Sequence, residues 1–453
     1  MHCVTGRYWV ETLGCPKNAV DSDKLVGTLV ADGLEEAASP ADADLVVVNT
    51  CAFVEAARQE SVDTVLALAD ARRPGARLVV TGCLAERYGD DLAEALPEAD
   101  LVAGFGVPVT LGATNALGPR RPATAFGPRR PERDAARLDL LNLPRPPATA
   151  PWAYVKVAEG CDRACGFCAI PSFRGRQRSR TPEAILDEVD ALGAAEIVLV
   201  AQDLASYGRD LGPPARPEGS GRNRRIEELV AAVAALVPRV RLLYLYPSEL
   251  DDGLVDAICA TRVPYFDLSL QHVSRPLLRR MRRWGDGDRF LARIRAIRAR
   301  EPDATFRSSF IVGYPGETEA DHDRLLDFLA EAQLDWAGFF PFSREEGTYA
   351  AGLDGAVDEG LVAERLRELG ELQDAITAGR RAALIGSTVD VLVDEPGVGR
   401  SHREAPEIDG VVSLPPELLT GSFVTVTVTG AAGPDLEARS GRADESGGEG
   451  PAW

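Results

Sequence analysis

The sequence predicts a three-part α/β protein: a doubly wound α/β domain at 1–117, a partial, six-stranded α/β barrel at 151–385, and a small antiparallel β-barrel at 386–432. Three observations carry that prediction. Short apolar runs alternate with helical stretches in two separate series, which suits parallel strands buried on both faces. A segment dense in Pro and Arg, 118–150, separates the two series. Beyond residue 386 the apolar period shortens to two, the mark of half-buried strands.

In the first part the strands are RYWVETLG, DLVVVNT, RLVVTG and DLVAGFG, with DSDKLVGTLVADG, EAARQESVDTVLALADARR and LAERYGDDLAEALPE as the helices between them. Residues 118–150 read as a solvated linker with one short ordered piece, although an RNA-binding arm is also compatible with their arginines. From 151, AYVKVAEG, EIVLVAQD, VRLLYLYP, YFDLSLQH, TFRSSFIVGY and DWAGFFPF supply six strands, short of the eight in a full barrel. Within this series RDLGPPARPEGSGRNRR, 209–225, reads as a flexible surface loop. A charged helix, DEGLVAERLRELGELQDAITAGRRAALI, leads into the strands STVDVLVDE, IDGVVSLP and SFVTVTVTG; residues 433–453 read as a disordered tail.

Composition narrows the function. Apolar residues make up 45% of the 453 and charged residues 26%, as in ordinary globular proteins. No apolar run reaches the roughly 18 residues of a membrane span, and the start MHCVTGRYWVETLG carries no basic-then-apolar export signal, so a cytoplasmic protein without membrane contact is expected. The net charge of −20 disfavours nucleic acid as the direct substrate, because phosphates need a basic surface. A basic protein partner suits it better.

Eight cysteines in such a chain point to metal or redox chemistry rather than disulfides, and with only four scattered histidines sulfur must do most of the binding. CDRACGFC places Cys161, Cys165 and Cys168 in a C-x-x-x-C-x-x-C pattern. Soft thiolates select iron–sulfur clusters or zinc. A zinc knuckle would have to borrow a fourth ligand, whereas three cysteines on an iron–sulfur cluster leave one iron open. The loop follows the first barrel strand, at the end where barrel active sites are built. A second trio emerges from the fold: Cys15, Cys51 and Cys83 each follow one strand of the first domain, and carboxyl ends of parallel neighbours lie side by side. Buried core thiols would be the bland alternative. Cys3 and Cys259 belong to neither group.

The CDRACGFC spacing resembles that of the radical S-adenosylmethionine (SAM) enzymes, and the two trios with a terminal β-barrel resemble the methylthiotransferases among them. The resemblance implies two 4Fe–4S clusters, an auxiliary one on Cys15, Cys51 and Cys83 and one on Cys161, Cys165 and Cys168. It also implies SAM as methyl donor and as source of a 5′-deoxyadenosyl radical, an external electron donor, and a TRAM domain for the terminal module. GCPKNAVDSD, NTCAFVEAARQES, AEGCDRACGFCAIPSFRGRQRSR, YLYPSEL and GRSHREAPEIDG look like the branch that modifies the β-carbon of an aspartate in small-subunit ribosomal protein twelve. The branch acting on tRNA adenosine typically has Gln-Met after the first cysteine and is the first rival; a non-catalytic two-cluster electron carrier is the second. Asp23, where Glu is usual, and the long linker and insertion are the departures.

By the same resemblance Gln202 and Asp203 lie where the SAM amino group binds, and Gly313, Gly316 and Glu317 border SAM, unless they form only a tight βα turn. Arg174 and Arg178 would meet the SAM carboxylate or the substrate, or simply form a solvated basic loop. Lys17, beside Cys15, would hold the substrate carboxylate. Charge offers a separate hint about the partner: residues 388–430 hold seven carboxylates against Arg400 and Arg403, which suits a basic ribosomal protein rather than tRNA.

Overall fold

The structure, a computed structural model, describes residues 6–111, 139–212 and 225–440. Its N-terminal sheet runs in the order Glu35–Glu36, Arg7–Thr12, Leu45–Thr50, Arg77–Gly82, Leu101–Val102, with every neighbouring pair parallel. The two central strands are apolar at successive positions because both faces are covered. Val46, Val48, Leu78 and Val80 meet the helices Glu55–Ala71 and Cys83–Ala95 through Val65, Leu68, Leu84 and Leu92. Leu45, Val47 and Val79 meet the helix Pro16–Ala31 through Leu25 and Leu29; each such leucine, fully buried, contributes roughly 1.5–3 kcal/mol. The chain moves outward from Arg7–Thr12 to the edge, then returns across it to Leu45–Thr50. The order therefore reverses between these two strands, and a crevice opens at their carboxyl ends.

In the centre, Trp152–Lys156, Glu196–Val200 and Arg239–Leu242 form one parallel sheet and Tyr265–Gln271, Thr305–Val312 and Trp336–Pro341 another. A single bridge, Leu245 to Leu268, joins them into the open six-stranded barrel. Val155, Ile197, Leu199, Phe306 and Phe310 face the surrounding helices. Tyr154, Val198, Val200, Leu243, Tyr265 and Trp336 form a separate inner cluster. Both neighbouring domains enter that interior: Val20 from the helix Pro16–Ala31, and Ala405 from the C-terminal module.

The terminal module is a closed barrel of Thr388–Glu395, Val398–Arg400, Val412–Ser413, Asp435–Ser440 and Phe423–Ala432. Two expectations need correction here. Residues 435–440 are no tail but the closing strand, hairpinned to Phe423–Ala432 and burying Leu436 and Ala438; two inward residues are too short an alternation to read. The barrel is also not wholly antiparallel, since Val412–Ser413 pairs parallel with that strand. Residues 441–453 lie outside the described residues, as do 118–138 of the linker and 213–224 of the insertion. The end of the linker is ordered: Leu140–Asn142 forms one 3-10 turn, and buried Lys24 donates to the carbonyls of Leu141 and Leu143 at 2.7 and 3.1 Å.

The module caps the amino end of the central barrel through residues 400–409. Glu196, at the start of the second strand, pairs with Arg241 at 2.8 Å and Arg400 at 3.2 Å. Tyr154 donates its hydroxyl to the carbonyl of Pro406 at 2.9 Å, and the Trp336 indole N–H to that of Arg403 at 2.8 Å. Glu404, fully buried, pairs with Arg381 of the helix Glu359–Ala382. This changes the reading of the module's charge. Asp394, Glu404 and Asp409 face Arg400, Arg381 and Arg307, and Arg400 and Arg403 are themselves buried. Asp390, Glu395, Glu407 and Glu417 remain exposed. The surface stays acidic with fewer carboxylates, because its arginines face inward too.

Candidate functional site

The first trio forms where the sheet order reverses. Gly14 takes a φ of +97°, and a Cβ there would stand 2.8 Å from Cys51 Cβ, so only glycine lets Cys15 turn in beside Cys51. Cys15 caps the helix Pro16–Ala31 and Cys83 opens the helix Cys83–Ala95, so both thiols sit where helix dipoles favour negative charge. Asn18 ties the loops together, donating to the carbonyls of Leu13 and Thr50 at 2.9 and 3.1 Å. The three thiols lie within electrostatic reach of one another. Burial, with Cys15 and Cys83 nearby, pushes Cys51 up to about 11, and burial raises Cys83. Burial would raise Cys15 too, but Lys17, Arg174 and backbone N–H groups outweigh it and hold that thiol low.

The second trio lies in a loop closed by the antiparallel pair Ala158–Glu159 and Arg178–Ser179. Cys161 N–H donates to the Gly175 carbonyl at 3.1 Å, and Cys168 N–H to that of Cys165 at 3.2 Å. Arg283 reaches Cys165 Sγ at 3.2 Å, while the Arg163 N–H donates to Cys161 Sγ at 3.4 Å. Burial, with Asp203 and Cys165 nearby, pushes Cys161 to about 11, and burial with the other two thiols pushes Cys168 to about 12.

Between the trios runs a buried ion network. Arg174 donates to Cys83 Sγ at 2.9 Å and Asn18 Oδ1 at 2.8 Å, and pairs with Glu159 at 2.9 Å and Asp21 at 3.3 Å. Lys156 pairs with Asp21 and with Glu159 at 2.7 Å. Burial alone would raise Glu159; Arg174 and Lys156 instead hold it far below the carboxylate range. One network thus fixes the N-terminal domain to the carboxyl end of the barrel, two residues before Cys161.

The donor sets suit iron–sulfur clusters: three soft thiols each, converging at loop ends held by buried cations. Among the described residues no group of three or more His, Cys, Asp or Glu side chains is arranged to hold a single metal ion.

Comparison with known proteins gives these features a family. Residues 7–104 match "Uncharacterized protein family UPF0004", 155–329 the radical SAM superfamily, and 385–440 the TRAM domain. The chain is 43% identical over 469 residues to the ribosomal protein uS12 methylthiotransferase RimO of Nocardioides sp., covering 94% of this chain and 96% of the relative. It belongs to the RimO family of radical SAM methylthiotransferases. RimO of Saccharopolyspora erythraea is 44% identical over 88% of this chain and 87% of its own, and that of Streptomyces griseus 41% over 94% and 96%. Among solved structures, the radical SAM methyltransferase TsrM of Kitasatospora setae, with cobalamin and a [4Fe-4S] cluster bound, shares the fold at 15% identity and a TM-score of 0.50, covering 92% of this chain and 83% of its own. Family membership makes the chain an enzyme with an iron–sulfur cluster and SAM as cofactors, which removes the electron-carrier rival.

Against the RimO resemblance, the structure sorts the other expected residues. Gln202 donates to Glu159 Oε1 at 2.8 Å, and Asp203 accepts from Arg163 at 2.6 Å; each keeps one buried oxygen, Gln202 Oε1 and Asp203 Oδ1, without a hydrogen-bond partner among the described residues. Gly313 lines a cavity with Pro315, Phe342 and Val362. Gly316 takes a φ of +86° and gives its N–H to the Gly355 carbonyl at 2.6 Å. Three more of these residues already have protein partners, two of them in the plainer arrangement the sequence left open. Arg174 is buried and already engaged by Cys83 and Glu159. Arg178 is exposed and pairs with Asp139 at 2.8 Å. Glu317 is buried, accepting from Gly313 N–H at 2.6 Å and Arg365 at 2.9 Å, the tight βα turn that was the alternative for it. Sequence reasoning missed Asp21, Asn18, Lys156, Glu159, Arg163 and Arg283. The rarity of lysine was the one available signal, since Lys156 is one of three.

Proposed function

We propose that this chain attaches a methylthio group to the β-carbon of an aspartate in small-subunit ribosomal protein uS12, in the cytoplasm, using two 4Fe–4S clusters, SAM and an external electron donor. One observation carries the reading: two thiol trios, with a buried network running from Cys83 to Glu159 just before Cys161, in a chain that aligns with RimO proteins almost end to end. When bound, the clusters and SAM supply the electron, the hydrogen abstraction and the methylthio group. Cys15, Cys51 and Cys83 would hold the auxiliary cluster, and Cys161, Cys165 and Cys168 the one that meets SAM, with the orphaned oxygens of Gln202 and Asp203 available to its amino group.

Lys17 fits a substrate contact. Its ammonium lies 3.4 Å from the Tyr244 ring centroid, is almost fully buried, and makes no ion pair among the described residues. A buried cation in that state gains from a carboxylate. Val20 and Ala405 pack into the apolar cluster inside the barrel, which leaves the carboxyl-end crevice as the place for reaction. The tRNA reading is not favoured, because the relatives are named for the ribosomal protein. Mass spectrometry of that protein from cells with and without this gene tests the proposal: one aspartate should carry a methylthio group only when the gene is present. An unmodified protein in both, with methylthio-adenosine gained in tRNA, would overturn it.

A further inference from the structure

Residues 275–300 contain ten arginines against Asp286 and Asp288, in a chain whose net charge is −20. The structure divides them. Those of the helix Gly287–Arg300 mostly face neighbouring helices: Arg293 pairs with Asp252 at 2.7 Å, Arg295 with Glu331, Arg300 with Asp256, and Arg298 caps the carbonyls of Ala332 and Gln333. Arg275, Arg279 and Arg282 are exposed and make no ion pair among the described residues. Two exposed aromatics stand with them, Trp284 and Tyr349, each 43% accessible. The Arg282 guanidinium lies 3.8 Å from the Tyr349 ring centroid; that of Arg289, which also pairs with Asp286 at 3.5 Å, lies 5.6 Å from Trp284.

This rim borders the reactive loop. Gly166, between Cys165 and Cys168, donates its N–H to the Met281 carbonyl at 2.8 Å and accepts from the Ala350 N–H at 2.7 Å. Arg283, next to Arg282, reaches Cys165. Unpaired guanidiniums beside the catalytic crevice would repel an isolated basic protein. They would attract the same protein once RNA phosphates surround it. Exposed aromatics flanked by arginines are also the surfaces on which unstacked bases settle. The overall acidity does not cancel a local patch, since charges beyond about 8 Å are screened at physiological salt.

We propose that this rim grips the phosphate backbone of small-subunit ribosomal RNA, so that the ribosomal protein is modified while seated on RNA. The proposal rests on the reading of the substrate given above. The test uses the full-length, anaerobically reconstituted enzyme and fluorescently labelled small-subunit ribosomal RNA across a salt series. Arg275→Gln/Arg279→Gln/Arg282→Gln should bind at least tenfold more weakly, with a slope of log affinity against log salt smaller by about 2 to 3. The corresponding Lys triple should restore most of both. SAM cleavage and modification of the isolated ribosomal protein should stay at wild-type levels, while modification of assembled small-subunit particles falls. Unchanged RNA affinity in the Gln triple overturns the proposal. So does an unchanged RNA affinity accompanied by slower reduction by an acidic electron-donor protein, which would assign the rim to that partner. If the wild type modifies neither isolated protein nor particles, the substrate reading fails instead.

Discussion

Replacing Glu404 by Leu should loosen the contact between the terminal module and the central barrel. Glu404 is fully buried and accepts from the Ser401 N–H at 2.7 Å and the Ser401 hydroxyl at 2.6 Å, besides pairing with Arg381. Arg381 is itself 4% exposed, and its Nε and Nη2 have no hydrogen-bond partner among the described residues. Removing the carboxylate strands a buried guanidinium, at a cost of about 3–5 kcal/mol. The Ser401 N–H loses its acceptor as well, adding about 1 kcal/mol or more. That is a large part of the 5–15 kcal/mol of a typical domain. Arg381→Met/Glu404→Leu carries neither charge and should return most of the loss, because a well-packed apolar pair commonly matches a buried ion pair. Urea midpoints and hydrogen exchange of residues 401–409 measure both. A single variant with the wild-type midpoint and undiminished protection at 401–409 would refute the reasoning, as would a double variant no better than the single.

Three further outcomes follow from the same contacts. Cys15→Ala/Cys51→Ala/Cys83→Ala should lower iron from roughly eight to roughly four per chain, still cleave SAM, and transfer no methylthio group; full transfer would sink the assignment of that trio. His272 is fully buried, and burial lowers it to about 4 from an ordinary 6.5. Its contribution is complete above about pH 6.5 and declines as pH falls towards 4, by about 3 kcal/mol, so thermal scans should show a flatter acid limb in His272→Gln. Glu395→Lys/Glu417→Lys, on exposed positions of the module, should weaken binding of the basic substrate protein at low salt and change it little at high salt; equal affinity at all salts would remove the charge argument for the partner.

The chemistry of this protein is written locally. CDRACGFC needs no tertiary information, since three thiols within eight residues can meet whatever surrounds them. Cys15, Cys51 and Cys83 are legible for a related reason: apolar periodicity marks the strands, and parallel strands place their carboxyl ends together. Six barrel strands and the period-two module follow from periodicity as well. What the chain order conceals is which charges meet. Arg174 stands 91 residues from Cys83 and 153 from Asp21, so nothing in its neighbourhood announces that it ties the first trio to the barrel. Glu196 meets Arg400 across 204 residues, and the carboxylates that looked like an acidic surface partly turn inward to such partners. The closing strand at 435–440 escaped notice because only Leu436 and Ala438 point inward, and its place depends on the hairpin and on Val412–Ser413. Periodicity and spacing reflect short-range geometry that the backbone imposes on every chain. Ion pairing depends on which distant surfaces packing brings out of water together, and only the tertiary structure decides that.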